Sequence, residues 1–210
     1  MTQANRSMDS AGWDARYAGT DLVWSPEPNV WAVEVLGGRA PGAALDLGAG
    51  EGRHALWLAQ HGWDVTAVDF SGEAIRKAKA VQAERAPHTA GRITWLQEDV
   101  VRHVPPARTS AAVLMMYLHL DAASRRIVVR NAATALALGG VLLVVGHDTT
   151  NPTEGTGGPS NPDVLFSAAD VVVDLAGLPG LTITRAERVR CPVGEGRPAL
   201  DALVEVIRTA

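Results

Sequence analysis

The chain has 210 residues, 47% of them apolar, enough for one domain around one core, and no repeat or long linker divides it. A net charge of −4 without a Lys/Arg cluster speaks against nucleic acid or anionic lipid as partner, and a single cysteine, Cys191, excludes an internal disulfide or a thiolate metal site. With no apolar run of the ~18 residues a membrane span needs and no signal-peptide core, a soluble cytoplasmic protein acting on a small molecule is expected.

Residues 1–8 are polar and expected to be disordered. From Asp9 a short helix places Trp13 and Tyr17 one turn apart on one face. Pro26 and Pro28 break residues 20–28 into a loop carrying Trp24, and Asn29 caps a second helix that ends at Leu36, stopped by Gly37 and Gly38. These helices, within 9–38, precede a core of 39–210.

An apolar strand ending at Asp46 and Leu47 runs into Gly48, Gly50 and Gly52, followed by helical-period residues Ala55, Leu58 and Ala59. Glycines between a strand and a helix admit positive φ and let a ligand approach the N–H groups of the helix start. The next strand, Val65–Val68, ends in Asp69, placed to accept hydrogen bonds from ribose hydroxyls. A nicotinamide site would make the same demands, but its G-x-G-x-x-G pattern needs glycine where Arg53 stands. A pyrophosphate gains nothing from a carboxylate two residues before the first glycine, whereas a ligand carrying an ammonium group does. Asp46 therefore favours S-adenosylmethionine, with a nicotinamide-dependent oxidoreductase or a non-catalytic cofactor-binding module as the alternatives.

Ser71 caps a helix with Ile75, Ala78 and Val81 inward and Arg76, Lys77 and Lys79 as a solvated face. After a break at Pro87–Gly91, a third strand, Ile93–Leu96, leads to Asp99 and Val100. A fourth, Ala111–Met116, is followed by Tyr117, Leu118 and His119, and Asp121 caps a helix that runs to about Leu138 and ends at Gly139. The fifth strand, Val141–Val145, leads to Gly146, His147 and Asp148. The irregular stretch Thr149–Phe166 is long enough to be functional. Ser167 and Asp170 form an S-x-x-D start, so the valines at 171–173 read as helix, and Leu181–Val189 with Ala202–Ile207 read as an antiparallel pair. This alternation gives an α/β fold with a mostly parallel sheet. His119 and His147 fall at carboxyl ends of strands, His54 opens the motif helix, His61, His88 and His103 are expected at the surface, and no pair has metal-site spacing.

D-x-G-x-G-x-G at 46–52, Asp69 and Asp99 stand in an order that resembles the class I S-adenosylmethionine-dependent methyltransferases, and the resemblance spans roughly residues 9–209. The segment from Trp13 to Asn29 resembles the N-terminal cover of small-molecule members, including the tellurite-resistance and thiopurine types. The resemblance implies a Rossmann-like seven-stranded sheet with helices on both faces, its last strand inserted antiparallel in a C-terminal hairpin. It implies a cofactor site of Asp46, Gly48, Gly50, Gly52, Arg53, Asp69, Phe70, Asp99, Val100 and Met116. The acceptor site would have His119 and Tyr117 as catalytic residues, with Tyr17, Trp24 and His147 touching the substrate and no metal. The implied reaction is in-line methyl transfer to a sulfur, nitrogen, oxygen or chalcogen atom of a small molecule, with residues 9–28 ordering over the bound cofactor and the oligomeric state open. The chain departs from the family where the fourth strand often begins with Asp, having Ser110, Ala111 and Ala112 instead.

Overall fold

The computed structural model describes residues 9–19, 21–192 and 196–210, so the expectation for residues 1–8 lies outside it. Five strands, β1 (Ala43–Leu47), β2 (Asp64–Asp69), β3 (Ile93–Gln97), β4 (Ser110–Met116) and β5 (Leu136–His147), run parallel. β6 (Leu181–Cys191) and β7 (Ala199–Arg208) close the sheet in the order β3-β2-β1-β4-β5-β7-β6, with β7 antiparallel to both its neighbours. The expected seven-stranded sheet with its antiparallel hairpin is the observed one.

Period-2 alternation divides the core between the two faces of the sheet. Leu114 and Leu143 turn toward α2 (Val30–Leu36) and α3 (Arg53–Gln60), where they join Leu36 and Leu58. Met115 and Val144, one residue on, turn to the other face and join Val128 and Ala132 of α5 (Ala122–Ala135) and Val171 of α7 (Ala168–Leu175). These central positions are buried on both faces, which is why their strands read as continuous apolar runs.

The caps formed as their residue types dictate. Asp9 accepts the Gly12 N–H ahead of α1 (Ser10–Tyr17), and Asn29 accepts that of Trp31. Ser71 accepts the Ala74 N–H ahead of α4 (Gly72–Arg85), Asp121 accepts at Ala123 and Ser124, and Ser167 with Asp170 makes a full capping box.

Three readings need correction. α5 stops at Ala135, and Gly139 lies inside β5 rather than ending the helix. The Ser110 pairing to Leu136 and the Ala112 pairing to Val141 leave residues 137–140 as a bulge. The stretch 149–166 is not wholly irregular, since α6 (Asn151–Glu154) and a 3₁₀ turn (Pro162–Val164) break it up. Lys77 is not on the solvated face. It follows Ala74 by three residues, so it lies on the same inward stripe and is 6% exposed.

Because the parallel strands end together, the segments after β1, β2, β3, β4 and β5 gather at one carboxyl edge, where open α/β sheets bind ligands. No helix among the described residues is long and apolar enough to cross a membrane.

Candidate active site

The turn from β1 to α3 takes three left-handed glycines, Gly48 (φ 75°), Gly50 (φ 55°) and Gly52 (φ 83°). At Gly52 a Cβ would stand 2.5 Å from Trp95 Cη2, so the loop is pressed against β3 and has no room for a side chain. A Cβ at Gly50 would lie 3.1 Å from the Tyr17 hydroxyl, on the side where the cover crosses. Asp69 fixes this loop from β2: its Oδ2 accepts the Gly50 N–H at 2.8 Å and its Oδ1 accepts the Ser71 N–H at 2.9 Å. A carboxylate oxygen has a second lone pair, so Asp69 can still accept from ribose hydroxyls.

Asp46 is 1% exposed at the start of the same turn. The Ala55 N–H bonds its carboxylate, but Oδ2 is buried with no partner. Burial is the main reason that its pKa is pushed up to about 7; the Arg53 guanidinium opposes the rise and Asp69 adds to it. An orphaned buried carboxylate oxygen beside a glycine turn suits a ligand that brings a cation.

The cover is tied down at several points. Asp14 accepts the Ser71 hydroxyl at 2.6 Å and the Glu73 N–H at 3.2 Å, docking α1 on the cap of α4. Glu51, inside the glycine turn, accepts the Val23 and Trp24 N–H groups at 2.9 and 3.2 Å and pairs with Lys77 at 2.8 Å; Lys77 also donates to the Asp21 carbonyl. Both side chains of that ion pair are about nine-tenths buried. Tyr17 is buried, stacks on Trp13 and accepts the Trp24 indole N–H at 3.2 Å. Arg16 lies over both tryptophan rings. Burial pushes the Tyr17 hydroxyl up to about 12, so it stays a donor.

A second cluster lies after β4 and β5. Tyr117 takes a left-handed φ of 56°, a strained state for a residue with a side chain. Its hydroxyl donates to Asp201 Oδ2 at 2.6 Å and accepts from Asn29 Nδ2 at 3.0 Å, with Cys191 beside it. Arg53 lies over the Tyr117 ring at 5.7 Å and so bridges this cluster to Asp46. The His119 and His147 rings stack at 5.3 Å, 5° from parallel.

His119 does not suit the general-base role expected of it. Its Nε2 accepts the His147 backbone N–H at 3.1 Å, and burial, then the neighbouring His147, push its pKa down to about 3. It is a neutral plate beneath His147.

The structure thus gathers Asp46, the three glycines, Arg53, Asp69, Tyr17 and Trp24 around the turn, and Tyr117, His119 and His147 in a contiguous second cluster. Phe70, Asp99, Val100 and Met116 lie at or just past the same edge, where the Asp99 side chain caps the Val101 N–H. Among the histidines expected at the surface, His61 and His88 are exposed, whereas His103 is half-buried and bound to Glu98. Sequence reasoning missed Glu51, Asn29 and Asp201 as site residues. Asp201 carried a signal, a lone carboxylate in the apolar run from Ala199 to Val204.

Residues 44–140 match the family profile described as "Methyltransferase domain". A 35-residue stretch, 17% of the chain, is 49% identical to ribosomal RNA small subunit methyltransferase C of Alcanivorax borkumensis, and spans only 11% of that protein. Among solved structures, one reported for the conversion of a disulfide bond into a thioacetal group during echinomycin biosynthesis superposes with a TM-score of 0.72 at 20% identity, covering 95% of this chain and 91% of that one. The glycopeptide N-methyltransferase MtfA complexed with S-adenosylmethionine superposes at 0.67 and 21% identity, with 88% of each chain covered.

Residues 44–140 thus carry a match to a methyltransferase domain, and the sheet as a whole has the fold of the solved glycopeptide N-methyltransferase. Arg53 in place of the third dinucleotide glycine and the buried Asp46 set the chain apart from nicotinamide enzymes.

Proposed function

We propose that the chain transfers a methyl group from S-adenosylmethionine to a heteroatom of a small molecule. The observation that carries this reading is the buried, unpartnered Asp46 Oδ2 at the glycine turn, a seat for the ligand's ammonium group. When bound, the cofactor supplies a methyl group already activated by a sulfonium charge, so the protein need contribute mainly position and exclusion of water. Asp69 would take the ribose hydroxyls, the Tyr17 hydroxyl and the turn N–H groups would face the ligand's carboxylate, and Phe70, Asp99 and Val100 would border the adenine. Trp24, 42% exposed on the cover, would close the acceptor side.

The acceptor space is set by Arg53, Tyr117 and His147, with the 149–166 segment lying over His147, where a Cβ on Gly158 would come within 2.7 Å of the ring. Walls of that kind favour a compact acceptor over a macromolecule. The test is release of S-adenosylhomocysteine across a panel of small thiols, amines, phenols and chalcogen oxyanions, with structured RNA and a denatured protein as controls. Turnover confined to small molecules is expected; turnover only with RNA or protein would overturn the acceptor class.

The Asp46 carboxyl gives this reading a pH signature. Its folded value, about 7, lies above the ordinary aspartate value of 3.8. The ligand-free protein therefore has this contribution to stability in full below about pH 4 and loses it as pH rises through 7. A cationic ligand needs the ionised form, so binding releases a proton below that value. Affinity for S-adenosylhomocysteine is expected to be about tenfold weaker at pH 6 than on its alkaline plateau. Calorimetry in buffers of different ionisation heat measures both the affinity and the released proton, and a flat profile with no release would remove Asp46 from the ligand.

A further inference from the structure

We propose that His147 takes the proton from the methyl acceptor, and that Asp201 is the positioning residue that fixes its tautomer, so that the site serves amines, phenols or thiols that must lose a proton. This rests on the methyl-transfer reading above.

His147 and Asp201 are direct cross-strand partners, in the antiparallel pairing of β5 with β7. Asp201 is 0% exposed. Its Oδ2 is committed to the Tyr117 hydroxyl, which Asn29 orients in turn. Its Oδ1 lies 3.1 Å from His147 Nδ1, yet the two atoms are out of line for a hydrogen bond, and each is buried without another partner. An unmade bond leaves both buried polar groups desolvated and unpaired, so a small ring rotation that aligns them is favoured. A carboxylate can only accept. The neutral imidazole must then carry its proton on Nδ1 and leave the Nε2 lone pair free.

Packing holds the ring in place. His119 stacks under the ring, Tyr117 stands 5.1 Å to one side, and Gly158 passes so close that a Cβ there would come within 2.7 Å of Cδ2, the carbon next to Nε2. His147 keeps 14% of its side chain exposed, and Tyr117 connects it through Arg53 to Asp46. His119 cannot substitute, because its Nε2 already receives the His147 N–H. The proton of the acceptor X–H passes to His147 Nε2, and the X electron pair forms the X–CH₃ bond. The pair of the broken S–CH₃ bond stays on sulfur, and the imidazolium, held by Asp201, later yields its proton to water. General-base help of this kind is typically worth about 10²- to 10⁴-fold.

Long-range proton–nitrogen NMR on the full chain, ligand-free and with S-adenosylhomocysteine, reads the His147 tautomer directly. The Nδ1–H form is expected in the wild type. In Asp201→Asn the carboxamide NH₂ can donate to Nδ1, and the ring is expected to switch to Nε2–H. An Nε2–H wild type, which is readable whether or not the variant folds, would overturn the assignment, as would an unchanged tautomer in a folded Asp201→Asn. For the base role, His147→Asn is expected to lower turnover of phenols and amines about a hundredfold more than that of thiols already ionised at the assay pH. An equal loss for both would reduce His147 to a packing residue while leaving the methyl-transfer reading intact. No turnover of any acceptor by the wild type would overturn both.

Discussion

Gly50→Val is expected to abolish S-adenosylmethionine binding, weakening it at least a hundredfold, while the protein stays folded. The backbone at this position has φ 55°, a region that costs a side chain about 1–2 kcal/mol and a β-branched one more. Its Cβ would point at the Tyr17 hydroxyl, 3.1 Å away, filling the gap between turn and cover that the ligand would need. It would also disturb the Gly50 N–H bond to Asp69, the residue assigned to the ribose. Gly52→Val differs in kind, because its Cβ would strike Trp95 and Ala78 rather than the ligand side, so it should unfold the domain instead. Calorimetry and circular dichroism on the two variants separate the effects, and a Gly50→Val protein with wild-type affinity would contradict the placement of the cofactor.

Glu51→Ala is expected to destabilise the protein by about 3–5 kcal/mol, because it strands Lys77 as an unpaired buried cation. It also removes the acceptor of the Val23 and Trp24 N–H groups, so amide exchange there should accelerate ahead of the core. Glu51→Gln keeps an acceptor for those groups and should cost less. Lys77→Met combined with Glu51→Leu should recover part of the stability, since a buried pair is often replaceable by apolar groups, but should leave the cover loose. Urea unfolding of the four proteins supplies the comparison. A Glu51→Ala loss below about 0.5 kcal/mol would mean that the pair behaves as a solvated one.

The same residues explain what was legible beforehand. The β1–α3–β2 unit was plain because its signals are local: an apolar run, alternate glycines, a helical period and a terminal Asp69. The caps at Asp9, Asn29, Ser71, Asp121 and Ser167 were legible for the same reason, as each bonds within three residues. The start of β5 was misread because Leu136 to Gly140 resembles a helix end, and only pairing with Ser110 makes it a strand.

Lys77 and Glu51 are 26 positions apart, and a charge run on a helix reads as solvated until its partner is known. Lys77 nevertheless shared the spacing of Ala74, Ala78 and Val81, a clue available from the period alone. Asp201 and His147 come together only through the register of an antiparallel pair, which no local pattern specifies. The glycine turn and Asp69 were therefore readable as one unit, whereas the contacts of Tyr117, His119 and His147 with Asn29 and Asp201 were not, since that cluster is assembled from the segments after β4 and β5, from β7 and from the cover.

The central claim, that Asp46 and the glycine turn seat S-adenosylmethionine, is tested most directly by calorimetric titration of one protein preparation with S-adenosylhomocysteine and with NADH. One-to-one binding of S-adenosylhomocysteine, at least a hundredfold tighter than that of NADH, is the expected result, while tighter binding of NADH or no binding of S-adenosylhomocysteine would contradict it.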